Sequence, residues 1–193
     1  EREPLRLKRW ADDGLYDLIV RKSKGKPKYI VHDGPPYANG KIHIGHALNK
    51  ILKDIVVKYK TMRGFDSCYV PGWDCHGLPI EHALLKDMHI AKDAIDQVTF
   101  RQKARAYAHT YIAIQRDDFK RLGVFGDWDH PYLTMNYEYQ ASIIESFIRL
   151  YLYGYIYQGN KPIHWCFHDE TALAEAELEY AEKTSPSIFV RFA

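Results

Sequence analysis

Apolar positions along this chain recur mainly at helical spacing, with a few short β-branched and aromatic runs set between clusters of breakers. Between Pro4 and Val20, Leu5, Leu7, Trp10, Leu15, Leu18 and Ile19 follow that spacing, interrupted at Asp12-Asp13-Gly14. This predicts two short helices. Pro27-Lys28-Tyr29-Ile30-Val31-His32 then reads as a strand, and Asp33-Gly34-Pro35-Pro36 followed by Asn39-Gly40 turns it into a rigid loop. From His46 the pattern is helical again, with Leu48, Leu52, Ile55, Tyr59 and Met62 on one stripe, Ile51 and Val56 beside it, and Gly64 as a stop. Lys58, Lys60 and Arg63 suit the negative end of that helix's dipole. Ser67-Cys68-Tyr69-Val70 reads as a second strand, closed by Pro71-Gly72-Trp73-Asp74-Cys75-His76-Gly77.

Further helices are predicted from about Pro79 to Met88, from Phe100 to Leu122, and from Tyr137 to Tyr153. The second carries Phe100, Ala104, Tyr107, Tyr111, Ile114 and Leu122. The third is expected to turn Ile143, Ile144, Phe147, Ile148 and Tyr151 inward. Beyond Gly159 the pattern changes: Lys161 to Cys166 and Ser187 to Phe192 read as strands, and Thr171 to Tyr180 is ambiguous. Strand, helix, strand is a βαβ unit, which implies parallel pairing and a ligand at the carboxyl ends of the strands. The expected architecture is α/β, a Rossmann-like parallel-sheet domain over residues 1–158. A second, unfinished domain begins at 159–193.

Composition narrows this only a little. The 193 residues carry a formal charge of +2, too small to imply a polyanionic partner by bulk field. Three cysteines, Cys68, Cys75 and Cys166, are odd in number and widely spaced, which argues against a disulfide framework and for a cytoplasmic setting. No apolar run is long enough to cross a bilayer and no leader pattern precedes the first helix, so no membrane is expected. Glu1-Arg2-Glu3-Pro4 reads as cut rather than begun.

The chemistry concentrates in Pro35-Pro36-Tyr37-Ala38-Asn39-Gly40-Lys41-Ile42-His43-Ile44-Gly45-His46, between a strand and the first turn of a helix. A helix N-terminus offers unpaired N–H groups and the positive end of the dipole, a ready site for phosphate oxygens. His43 and His46, three residues apart, fall together there, and each imidazole can donate to a phosphate. Gly45 removes a Cβ and lets a purine or ribose approach the backbone. An arbitrary His-x-x-His is more often a capping or packing pair, and only the strand and glycine context reverses that weighting. Zinc is the weaker alternative, because the pair lacks the glutamate and the i, i+4 spacing of the metalloprotease motif. By residue type alone, Asp74 reads equally well as a turn or capping aspartate, and Trp73 as core.

His43-Ile44-Gly45-His46 resembles the signature of the class I aminoacyl-tRNA synthetases. His32 to Gly40, together with Gly72-Trp73-Asp74-Cys75-His76-Gly77-Leu78-Pro79-Ile80-Glu81, is similar to the isoleucine-specific branch. The likeness continues through Gly126-Asp127-Trp128, Lys161 to Cys166 and Thr171 to Glu177, and reaches Ser185-Pro186-Ser187, where an editing insertion is expected to begin. The resemblance implies ATP-dependent activation of isoleucine and transfer to tRNA(Ile), with magnesium accompanying the ATP, in a monomeric enzyme. It implies that His43 and His46 are catalytic, stabilising charge at the α-phosphate, with Pro36, Asn39, Gly40 and Gly45 completing the ATP site. It assigns Asp74 to the substrate's ammonium group, and Gly34, Pro35 and Trp73 to the amino-acid pocket.

Other positions weigh less. Lys41 reads as a solvated loop lysine, and Asn39 as a brace for the loop or simply an Asn-Gly turn. The tyrosines from Tyr151 to Tyr157 read as a packed helix face. Cys166-Phe167-His168 lacks the second cysteine of a Cys-x-x-Cys pair, so no metal site is expected. The lysine-rich second phosphate loop of the family does not occur, so this chain alone is expected to bind ATP weakly and to show little aminoacylation. Valyl or leucyl synthetases, and a non-catalytic nucleotide-binding module on the same fold, are the competing assignments.

Overall fold

The computed structural model describes residues 2–91 and 94–192; Glu1 and Ala193, the outer ends of the two expected domain ranges, lie outside them. In chain order the elements are α1 (Glu3–Asp12), α2 (Leu15–Ser23), α3 (Ile44–Met62), β1 (Gly72–Trp73), α4 (Leu78–Met88), α5 (Gln97–Arg121), β2 (Tyr132–Leu133), α6 (Tyr137–Leu152), β3 (Trp165–Cys166) and β4 (Thr171–Ala172). A 3-10 turn follows at Glu175–Glu177. Contacts divide the chain into two units, Glu1–Phe147 and Ile148–Ala193.

In the first unit a small parallel sheet is present, but its two-residue strands are not the two runs expected from the sequence. β1 pairs in parallel with β2, Gly72 opposite Tyr132 and Trp73 opposite Leu133. On the other side, the segment after α2 pairs in parallel with the approach to β1 through two isolated bridges, Lys28 with Asp66 and Tyr37 with Asp74. Tyr29 N donates to Asp66 O at 3.0 Å and Ala38 N to Asp74 O at 3.1 Å. Nine steps separate Lys28 from Tyr37 and eight separate Asp66 from Asp74, so the first segment carries one extra residue. The two bridges are isolated, and no ladder joins them. The runs 27–32 and 67–70 therefore do not form continuous strands, although their direction and neighbours are those of a parallel sheet.

The helices fall close to their predicted ranges for local reasons. Gly14, with φ +56°, separates α1 from α2. Asp96 caps α5 by accepting from the amides of Val98 and Thr99. The core gathers Ala38, Val57, Tyr69, Trp73, Ile80, Ala108, Ile112, Phe119, Val124, Trp128 and Met135.

Two faces differ from expectation. The apolar stripe of α3 is exposed, Leu48 at 60 % and Met62 at 80 %, while the face turned inward is Lys50, Asp54 and Val57. In α6 the residues expected inward are also exposed, from Ile148 at 48 % to Tyr151 at 62 %, because no described element covers them.

The second unit holds the antiparallel pair β3–β4, Trp165 opposite Ala172 and Cys166 opposite Thr171. Ser187 to Phe192, expected as a strand, has no regular structure. Cys166 Sγ donates to an Asp169 carboxylate oxygen at 3.2 Å and accepts from the Asp169 amide.

Candidate anion site at the start of helix α3

His43 is the N-cap of α3, in extended backbone conformation, and its Nδ1 accepts from the Gly45 amide at 3.1 Å. His46 reaches back, its Nδ1 accepting from the His43 amide at 3.3 Å. The pair forms a reciprocal capping box. With both Nδ1 lone pairs occupied, a neutral ring carries its proton on Nε2, and both rings present an N–H away from the backbone. Their centres are 3.9 Å apart. Burial, then the neighbouring His43 and Lys50, holds His46 below the ordinary imidazole value and so favours the neutral form.

Gly45 is required by this arrangement, because a Cβ there would lie 2.9 Å from Cε1 of His43. The glycine gives room for the capping ring as well as for any ligand.

The loop before the helix is tied down from several sides. Asp74 N donates to Pro36 O at 2.9 Å, fixing the proline carbonyl against the end of β1. Asn39 Nδ2 donates to Pro79 O at 3.2 Å, so the asparagine does brace the loop. Gln115, fully buried on α5, donates from Nε2 to Tyr37 O at 3.0 Å and Gly40 O at 2.7 Å, and accepts the Trp73 indole N–H at 2.9 Å. Sequence reading missed Gln115. Its signal was a polar residue in line with Ala108, Ile112 and Phe119 on one face of α5.

Gly34 is exposed, Pro35 partly so and Pro36 buried. Trp73 has no exposed surface and packs at 6.2 Å from Trp128. Its ring belongs to the core. Asp74 is partly exposed, with Oδ1 accepting from the His76 amide at 3.2 Å and from Thr134 Oγ1 at 3.5 Å.

Past the ends of β1 and β2 opens a cavity of about 900 Å³, lined by Cys75, His76, Glu81, Arg101, Arg105 and Gln140 among others. It lies where a parallel sheet places ligands, beyond the strand carboxyl ends. Two further cavities share no residue with it: one of about 600 Å³ lined chiefly by α1, α2 and the 123–130 segment, and one of about 370 Å³ between α2, the end of α3 and residues 66–68. Among the described residues no helix is long and apolar enough to cross a membrane.

Parallel extended segments, a crossover helix and two imidazoles at that helix's N-terminus make an α/β domain with a candidate anion site. Comparison with known proteins specifies it further. Residues 5–191 match the family described as tRNA synthetases class I (I, L, M and V), and the chain belongs to that family. Curated relatives include isoleucine–tRNA ligases of Natranaerobius thermophilus, 58 % identical over 99 % of this chain, and Moorella thermoacetica, 56 % identical over all of it. The ligase of Symbiobacterium thermophilum is likewise 58 % identical. The chain spans about a fifth of the length of these relatives, 20–21 %. A similar solved structure is the LeuRS of Agrobacterium radiobacter K84 in a ternary complex with tRNA and LeuAMS. Its TM-score is 0.71 at 23 % identity, covering 91 % of this chain and 20 % of that one, a likeness of fold.

Proposed function

We propose that this chain carries the ATP-handling half of the amino-acid-activating site of an isoleucine–tRNA ligase. The observation that carries the reading is the paired imidazoles, each with Nδ1 committed to the backbone and Nε2–H left as a donor at a helix N-terminus. The identity to isoleucine–tRNA ligases supports the choice of amino acid.

In this reading the isoleucine carboxylate attacks the α-phosphorus of ATP. A carboxyl oxygen–phosphorus bond forms, the bond to the bridging oxygen breaks, and pyrophosphate departs. Charge accumulates on the non-bridging oxygens, and the Nε2–H groups of His43 and His46 donate to them more strongly in the transition state than in the ground state. Neither histidine needs to move a proton. Gly45, Pro36, Asn39 and Gly40 keep the loop clear and fixed for the nucleotide. Asp74 pairs with the α-ammonium group, and Gly34 and Pro35 form the pocket floor. A hydroxyl of the terminal ribose of tRNA(Ile) then attacks the acyl carbon, the new ester bond forms as the bond to the adenylate oxygen breaks, and AMP departs with the proton released.

The residues present suit a phosphate ligand: the site offers donors and a positive helix end. Among the described residues no group of three or more His, Cys, Asp or Glu side chains gathers to hold a metal. Magnesium would accompany the phosphates of ATP, a common arrangement for this ion. Residues from about 159 onward would begin the editing insertion, and the whole protein would act as a cytoplasmic monomer. The 193-residue chain by itself would bind ATP weakly.

The test is ATP–pyrophosphate exchange by the full-length protein with isoleucine, valine, leucine or methionine. Isoleucine should give the highest kcat/KM; a preference for valine or leucine would reassign the amino acid, and no exchange with any would defeat the reading.

A further inference from the structure

Between the bridges at Lys28 and Tyr37 the side chain of Asp33 is fully buried. Its Oδ2 accepts from the Gly72 amide at 3.1 Å, so a carboxylate stands in for a missing rung of the parallel ladder. Oδ2 also accepts from Lys50 Nζ at 2.5 Å, and Oδ1 accepts from Lys53 Nζ at 2.7 Å. The Asp33 carbonyl accepts the Tyr132 hydroxyl at 2.9 Å. One residue therefore binds α3, β1 and β2 together.

The positions of those partners give the clasp a functional direction. Lys50 and Lys53 lie four and seven residues beyond His46, on the inward face of α3. Gly72 lies two residues before Asp74, and Asp33 itself precedes Gly34. The same carboxylate is thus tied to the helix that begins at the imidazoles and to the strand that leads to Asp74, and its own residue adjoins Gly34. Lys50 is further held by Tyr69, its Nζ donating to the hydroxyl at 2.8 Å. Burial alone would push the Asp33 carboxyl up, but the charge of Lys50 and hydrogen bonds from Lys50, Lys53 and Tyr69 outweigh it and keep Asp33 ionised.

We infer that Asp33 is a positioning residue for amino-acid activation: its clasp on Lys50, Lys53 and Gly72 sets the spacing between the phosphate-binding end of α3 and the Asp74 end of β1. This rests on the activation reading above. The two half-sites bind different substrates, so slackening the clasp leaves each substrate's own contacts intact and misaligns carboxylate against α-phosphate. Rates for such in-line reactions fall steeply with misplacement, about 100-fold for an ångström.

The test uses the full-length protein. Lys53→Met is the mild variant, since Lys53 lies at the edge of the cluster with 18 % of its side chain exposed. It should lower kcat for isoleucine-dependent exchange about tenfold, with both KM values within about twofold and Tm lowered but the protein still folded at the assay temperature. Asp33→Asn should lower kcat further, and Asp33→Glu should restore part of the loss by returning a carboxylate. Unchanged kcat in Lys53→Met, or losses confined to KM, would overturn the inference. Failure of the parent reading is separate: the wild type would exchange with another amino acid, or with none. In the first case the same variants are read with that amino acid. In the second, hydrogen exchange decides: Lys53→Met should loosen amides 34–46 and 70–76 together while α5 stays protected, and unaltered protection overturns the clasp.

Discussion

The buried amide of Gln115 accepts the indole N–H of Trp73 at 2.9 Å while its own N–H₂ donates to the carbonyls of Tyr37 and Gly40. A single side chain on α5 thereby locks the loop leading to the histidines against the strand that ends at Asp74. Gln115→Leu would keep the volume and strip all three bonds, leaving an indole N–H and two carbonyls unpaired. The expected cost is about 3 kcal/mol of unfolding free energy. Urea denaturation checks it, with a lowered midpoint at unchanged m.

Gly45→Ala separates the histidine geometry from helix stability. The added methyl meets the His43 ring and must displace it, breaking the cap from the Gly45 amide. Loss of a cap costs about 1 kcal/mol, and alanine returns a similar amount in helix propensity. Tm should therefore move by only a few degrees, while exchange activity falls at least about tenfold. Calorimetry and the exchange assay on one preparation test both halves.

His46 should titrate below 6.5, the ordinary imidazole value, because burial, His43 and Lys50 disfavour its cation. Between 6.5 and the lower folded value the unfolded chain binds this proton and the folded chain does not. Stability from this group is thus intact above pH 6.5 and is lost as pH falls through that window. Protonation would also turn the Nδ1 that accepts from the His43 amide into a donor. NMR titration of the ring should give a midpoint under 6.5, and His46→Gln should flatten the acid side of the stability profile.

The helices were legible because Gly14, Asp96 and the 3.6-residue period are local signals. The His43–Gly45–His46 cluster was legible for the same reason. What periodicity does not reveal is which face of a helix meets the core. On α3 the apolar stripe through Leu48 and Leu52 is exposed, and the inward face carries Lys50 and Asp54, whose partners Asp33 and Phe125 lie far away in sequence. Asp33 read as a loop breaker for that reason. The strands were only partly legible because backbone pairing there is confined to isolated bridges, and the Gly72 amide is taken by the Asp33 carboxylate rather than by a backbone carbonyl. For Trp73 the sequence left pocket wall and core both open, and the ring lies in the core.

The most direct test of the account concerns Nε2 of His43. His43→Asn retains a short polar cap able to accept from the Gly45 amide and removes the Nε2 donor. Single-turnover adenylate formation by the full-length protein should slow by about 100-fold or more, with Tm and the ATP dependence little changed. A rate within about threefold of the wild type would mean that the imidazole serves only as a helix cap, and would contradict the account.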